Sequence, residues 1–153
     1  MRILNVTVAI VSVSMTGCIG ADVFGANNCD YQGVYAYWGS VFIKNEGVME
    51  AGVAGSLEIT QQRDSLASVD LDWYYVEDGR TTIHISTARP VVARLSGDCH
   101  LAFDVEGDVR LGEGVTGFQL QHDGSLDGNF IVGSWQLSTD RPTEDYGGFA
   151  AQR

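Results

Sequence analysis

The chain has 153 residues and a formal net charge of −11, with 9 Lys and Arg against 20 Asp and Glu. No basic run is present, which excludes recognition of nucleic acid by phosphate neutralisation and electrostatic capture by anionic headgroups. The length suits a single domain with a real core, and 19 glycines with only two prolines favour turns and sheet.

Residues 1–17 have the layout of an export signal: Arg2 supplies a positive end, residues 3–13 are mostly apolar, and small residues follow. A membrane-spanning helix needs about 20 apolar residues, and this shorter stretch is interrupted by Asn5, Thr7 and Ser12. It closes on Val13-Ser14-Met15-Thr16-Gly17-Cys18. The last four residues resemble the lipobox of bacterial lipoproteins, in which an aliphatic residue and two small ones precede the cysteine. The resemblance covers the first 18 residues. It implies cleavage before Cys18, acyl chains on its thiol and its new amine, and a lipid anchor in the membrane of a bacterial cell envelope. Two or three chains anchor firmly where one is marginal. Ile19, standing where Asp would signal inner-membrane retention, implies the outer membrane. The alternative is ordinary cleavage near Gly20-Ala21, with Cys18 discarded. Residues 18–29 then form a linker and residues 30–153 the domain.

Lipidation of Cys18 leaves Cys29 and Cys99 as an even pair in an oxidising compartment, which predicts a disulfide closing a loop of about 70 residues. No Cys-x-x-Cys redox motif is present.

From residue 30 onward two-residue alternation dominates. Tyr35 and Tyr37 share one face of the first strand, and Val34, Ala36 and Trp38 the other. The alternation recurs through Leu57 and Ile59, then Val69, Leu71, Trp73 and Tyr75, then Ile83 and Ile85. Val91, Ala93 and Leu95 continue it, followed by Leu101, Phe103 and Val105, and by Phe118 and Leu120. Each run describes a strand with one dry and one wet face. Turn signals stand at Arg63-Asp64, Asp78-Gly79, Gly97-Asp98, Glu106-Gly107-Asp108 and Asp123-Gly124. Pro90 marks a strand start. Phe130 and Val132 keep one parity and Trp135 and Leu137 the other, which predicts a β-bulge at Gly133-Ser134.

The expected fold is all-β: an antiparallel meander of about eight to nine strands forming a closed or nearly closed small barrel, with a β-sandwich as the alternative. Gly33-Val34-Tyr35-Ala36-Tyr37-Trp38 and Gly133-Ser134-Trp135 faintly resemble the Gly-x-Trp signature of calycin and streptavidin-like barrels. That resemblance is architectural and brings no ligand residues with it.

No catalytic constellation stands out, and neither a cofactor nor a metal is implied. His84 belongs to the wet face of a strand, His100 adjoins a cysteine and His122 falls at a turn. Asp104-Val105-Glu106-Gly107-Asp108 places its glycine wrongly for an EF-hand loop. Tyr35, Tyr37, Trp38, Trp73, Tyr74 and Tyr75 are the candidate ligand or partner surface, since aromatics on both faces of a strand mean cover on both sides or a binding patch. The favoured function is a lipid-anchored, non-enzymatic binding domain for a small apolar ligand or an envelope protein. The alternatives are an envelope hydrolase using carboxylates such as Asp70 or Asp72, and a structural or assembly lipoprotein.

Overall fold

The structure is a computed structural model that describes residues 29–42, 51–63, 65–77, 79–140 and 144–153. The export signal, Cys18 and residues 19–28 of the linker lie outside the described residues.

Nine strands follow in order: β1 (Gly33–Ser40), β2 (Ala51–Arg63), β3 (Leu66–Glu77), β4 (Arg80–Ser86), β5 (Val91–Leu95), β6 (His100–Leu111), β7 (Gly114–Asp127), β8 (Phe130–Thr139) and β9 (Glu144–Gln152). All the ladders are antiparallel, and eight strands close into a barrel in the order β1-β2-β3-β5-β6-β7-β8-β9. The ring shuts where Ala36–Gly39 of β1 meet Phe149–Gln152 of β9. Closure removes the bare edges that short strands would otherwise expose.

β4 is the additional strand. It pairs with Asp72–Glu77 of β3 while β5 pairs with Leu66–Val69. Because β2 occupies the other edge of β3 along its whole length, β4 and β5 share one edge, like a single strand broken at residues 87–90. Thr87 pins the break to β3: its N–H donates to the Leu71 carbonyl (2.9 Å) and its Oγ1 accepts from the Leu71 N–H (3.0 Å). Pro90, which has no N–H to offer a ladder, stands just before β5 as expected. The register of β5 and β6 consists of two pairs, Arg94–Ala102 and Leu95–Leu101. Beyond them β4 approaches β6, and no ladder joins the two among the described residues. The barrel wall has a seam there.

The inward positions form one core. Tyr35 and Tyr37, Leu57 and Ile59, Val69 to Tyr75 at alternate positions, Leu101 to Val105, Leu120, Ile131, Trp135, Leu137 and Phe149 are all buried. Large and small residues alternate around the ring. Trp73 stands opposite Gly55 of β2, and Trp135 opposite Gly147 of β9, and the two indoles meet edge to face with centroids 5.5 Å apart. A side chain at Gly55 would strike the Asp72 carbonyl and one at Gly147 the Ser40 carbonyl, so glycine permits the tight curvature under each indole. Outward positions carry Glu58, Arg94, Asp104 and Glu106. They share the outer wall with exposed Val34, Trp38, Val92 and Val132.

Three sequence expectations fail, and two share a cause. The turns expected at Glu106-Gly107-Asp108 and Asp123-Gly124 do not occur. β6 and β7 run straight through them, and the chain reverses at Gly112-Glu113 and Gly128-Asn129, with Gly112 (φ 62°) and Gly128 (φ 60°) in the left-handed region. Gly107 and Gly124 instead make room for rings. A Cβ at Gly107 would touch Phe118, and one at Gly124 would touch Phe149. The third failure is the bulge at Gly133-Ser134: β8 keeps unbroken register with both neighbours. Its inward face is Ile131, Gly133, Trp135 and Leu137, and Phe130 and Val132 point outward. A glycine at an inward position hid the true parity. The register shifts that do occur leave Thr60 of β2 and Thr82 of β4 as extra residues.

Candidate functional site

The two ends of the barrel differ. At one end the chain entering β1 crosses beneath the core as a plug. Tyr31 is fully buried there, and the Tyr35 hydroxyl donates to its carbonyl at 2.8 Å. Cys29 and Cys99 are disulfide-bonded with Cα atoms 5.5 Å apart, which ties the plug to the approach to β6. The Arg153 guanidinium donates to the Asp30 carboxylate (3.1 Å) and to the Gln32 carbonyl (2.7 Å), so the chain's last residue clamps the plug from outside.

The opposite end bears a concavity among the described residues. A cavity of about 670 Å³ lies where the seam between β4 and β6 meets the rim. Tyr75 and Glu77 reach it from the end of β3, Ile83 from β4, Leu111 from the end of β6, Glu113 from the β6–β7 turn, and Asp145 from the start of β9. It exists because β5 is too short to carry the wall to the rim. Burial holds the Tyr75 hydroxyl above its ordinary pKa, and the fields of Asp145 and then Glu77 add to the effect. Burial likewise raises the Asp145 carboxyl. Tyr75 and Asp145 thus line the cavity together with apolar Ile83 and Leu111. A second concavity of about 610 Å³, on the flank of the β6–β7 hairpin, offers less to a ligand. Gln119 already donates to Glu106 (3.2 Å), and Asp140 already accepts from the Gly117 N–H (2.9 Å).

The six aromatics singled out from sequence do not form one surface. Tyr35, Tyr37, Trp73 and Tyr75 point into the barrel and are buried. Trp38 and Tyr74 stand outside on different strands. Trp38 (44% exposed) belongs to an uncharged band, with cross-strand partners Ala54 and Ala150 and with Val132 opposite Ala150. Tyr74 stacks on His84 (centroids 4.3 Å), and both hold Asp72, through Tyr74 Oη (2.9 Å) and His84 Nε2 (2.6 Å). Asp70 and Asp72 share the outward face of β3, and neither lines the mouth. A two-carboxylate cleft is therefore not what this pair forms.

His122 does not sit at a turn. It lies inside β7 and is 3% exposed, stacked on Phe103 (4.6 Å) with Nε2 3.1 Å from the Tyr37 hydroxyl. Burial pushes its pKa down to about 3, so the imidazole is neutral. Its Nδ1 has no partner among the described residues, nor has the indole nitrogen of Trp135. Even spacing from Leu120 is the one signal in the sequence that could have placed His122 inside. The mouth itself had no such signal, because its residues come from five separate strands and a turn.

No family model matches this sequence, and no curated protein matches it. Among solved structures it is similar to "EF1p2_mFAP2b bound to DFHBI", at 12% identity over 80% of this chain and 92% of that one, with a TM-score of 0.53. It is also similar to "a redesigned beta barrel, mFAP1, bound to DFHBI", at 13% identity over 80% of this chain and 94% of that one, with a TM-score of 0.48. The first of these likenesses shows the fold and nothing finer: this chain is a β-barrel.

Proposed function

We propose that the chain is a lipid-anchored, non-enzymatic binding protein of the bacterial cell envelope that captures a small ligand at the open end of its barrel. The asymmetry of the two ends carries this reading. One end is plugged by Tyr31, stapled by Cys29–Cys99 and clamped by Arg153, while the other presents a cavity within the size range of small-molecule sites. The anchoring part rests on the lipobox resemblance of residues 15–18. The described chain begins at the plugged end, with Cys29, so an anchor at Cys18 would attach on that side of the barrel.

Two measurements test the reading. Cys18→Ser should abolish acylation and release the protein from the membrane fraction, and an unchanged mass and distribution would remove the anchor. Nile red, a neutral dye, should bind Cys18→Ser protein saturably at one site and bind Leu111→Ser protein several-fold more weakly. Binding that is unsaturable, or indifferent to Leu111, would remove the mouth as the site.

A second reading, docking of an envelope protein, is favoured by the band of Ala54, Trp38, Ala150 and Val132, which bears no charge on a chain of net charge −11. Trp38→Glu with Val132→Glu should abolish recovery of a partner from intact membranes. Recovery unaffected by the pair would end that reading.

A further inference from the structure

Four inward side chains form a circuit inside the barrel. Tyr37 of β1 and Trp73 of β3 both stand opposite Gly55 of β2. The Trp73 indole meets that of Trp135 on β8, with centroids 5.5 Å apart. Trp135 stands opposite His122 of β7, and His122 Nε2, 3.1 Å from the Tyr37 hydroxyl, closes the circuit. Trp73, Trp135 and His122 are at most 3% exposed. Yet Trp73 Nε1, Trp135 Nε1 and His122 Nδ1 have no hydrogen-bond partner among the described residues. Buried polar atoms are normally paired, so three orphans in one core call for a partner. Their chemistry has one sign. An indole nitrogen can only donate. Trp73 Nε1 approaches the Tyr37 hydroxyl without closing a hydrogen bond to it. The phenol's own proton is therefore directed at His122 Nε2, and the neutral imidazole carries its hydrogen on Nδ1. All three orphans are then N–H donors.

We infer that the barrel interior, at the circuit of Tyr37, Trp73, His122 and Trp135, binds a flat, neutral molecule that bears a carbonyl oxygen and no hydrogen-bond donor: an aromatic ketone or lactone. The carbonyl oxygen, with two lone pairs, accepts from the orphaned N–H groups. Aromatic walls suit a flat apolar body, since Tyr37 stacks on Phe149 and His122 on Phe103. Water does not suit the site, because it brings two further protons that need acceptors. An anion does not suit it either. No charged side chain is buried among the described residues to balance one, and the chain already carries −11. Entry is at the seam, where Trp73 stands opposite Ile85 of β4 and no ladder joins β4 to β6 among the described residues. The ligand spreads the edge-to-face contact of the two indoles.

This site lies inside the barrel and does not depend on the rim cavity. Coumarin, a flat lactone, and naphthalene, of similar shape but without an acceptor, are titrated onto full-length Cys18→Ser protein. Binding is followed by the indole N–H signals in proton–nitrogen correlation spectra. The chain has three tryptophans, so Trp38 on the outer wall serves as the internal reference for Trp73 and Trp135. Coumarin should move the Trp73 and Trp135 signals downfield, leave that of Trp38 in place, and bind at least about tenfold more tightly than naphthalene. Trp135→Phe, which keeps a ring and removes one donor, should reduce that preference several-fold. Should this variant not fold, the wild-type spectra decide alone. Equal affinity for the two compounds would overturn the inference. Coumarin that shifts the amides of Leu111 and Glu113 but neither inner indole would overturn it while leaving the rim reading standing. Overhauser contacts between the inner indole protons and water in the ligand-free protein would overturn it too, because the donors would then already have their acceptor.

Discussion

His122 makes acid stability a direct reading of the barrel interior. An unfolded chain binds the His122 proton near pH 6.5, and the folded barrel resists it until about pH 3. Between those values the unfolded state holds one more proton than the folded state. Stability due to this group is complete above pH 6.5 and falls as the pH drops, by about 1.4 kcal/mol per unit. From pH 7 to pH 4 the loss is ~3 kcal/mol, a large share of the 5–15 kcal/mol typical of a domain. The comparison protein is His122→Gln, which keeps a hydrogen-bonding group toward Tyr37 and does not titrate. Its loss of packing against Phe103 is a constant offset at every pH. Asp145, whose raised pKa acts in the opposite direction by favouring the folded state on acidification, is present in both proteins and cancels. Urea unfolding at half-unit steps from pH 7 to pH 4 gives two curves that should diverge from each other by ~3 kcal/mol. Curves parallel to within about 1 kcal/mol would show that His122 is hydrated or protonated in the folded protein, and would refute the dry interior.

Cys29→Ser with Cys99→Ser should cost ~4 kcal/mol in urea unfolding, the loop-entropy value for a separation of 70 residues; an unchanged midpoint would mean the plug is held without the bond. Gly147→Ala should cost about 1–3 kcal/mol, because its methyl group meets the Ser40 carbonyl and the Trp135 ring. Gly97→Ala, where nothing lies within reach, should stay within about 0.5 kcal/mol. Trp135→Ala should cost about 3–5 kcal/mol and abolish the near-ultraviolet circular dichroism of its edge-to-face contact with Trp73, while Trp38→Ala on the outer wall should change stability by less than about 0.5 kcal/mol.

The barrel was legible in the sequence wherever an inward strand face was continuously apolar. Val69, Leu71, Trp73 and Tyr75 announce β3 without ambiguity, and Leu101, Phe103 and Val105 announce the first half of β6. Legibility stopped at glycines. Gly107, Gly124 and Gly133 occupy inward positions where a neighbour's ring or backbone fills the space. A missing side chain reads locally as a turn or a slip, although the filling atom lies on another strand. The same limit governs the site. Tyr75 and Asp145 are 70 residues apart in sequence, and only the shortness of β5 makes the wall open beside them. Nothing in the composition of β5 says where β6 will extend beyond it. The aromatic content picked out six residues as a candidate ligand or partner surface, of which Tyr35, Tyr37, Trp73 and Tyr75 lie in the interior. It could not separate them from Trp38 and Tyr74, because strand parity assigns residues to two faces without naming which face is dry.

The ring closes through the final strand, with residues 149–152 lying against residues 36–39 from the far end of the chain. Synthesis therefore delivers the keystone after the other eight strands. Until those residues emerge, the nascent polypeptide is a curved sheet with two bare margins, at β1 and β8, each able to accept a stranger's strand. Without β9 the barrel would become a trough whose two open edges invite pairing between molecules.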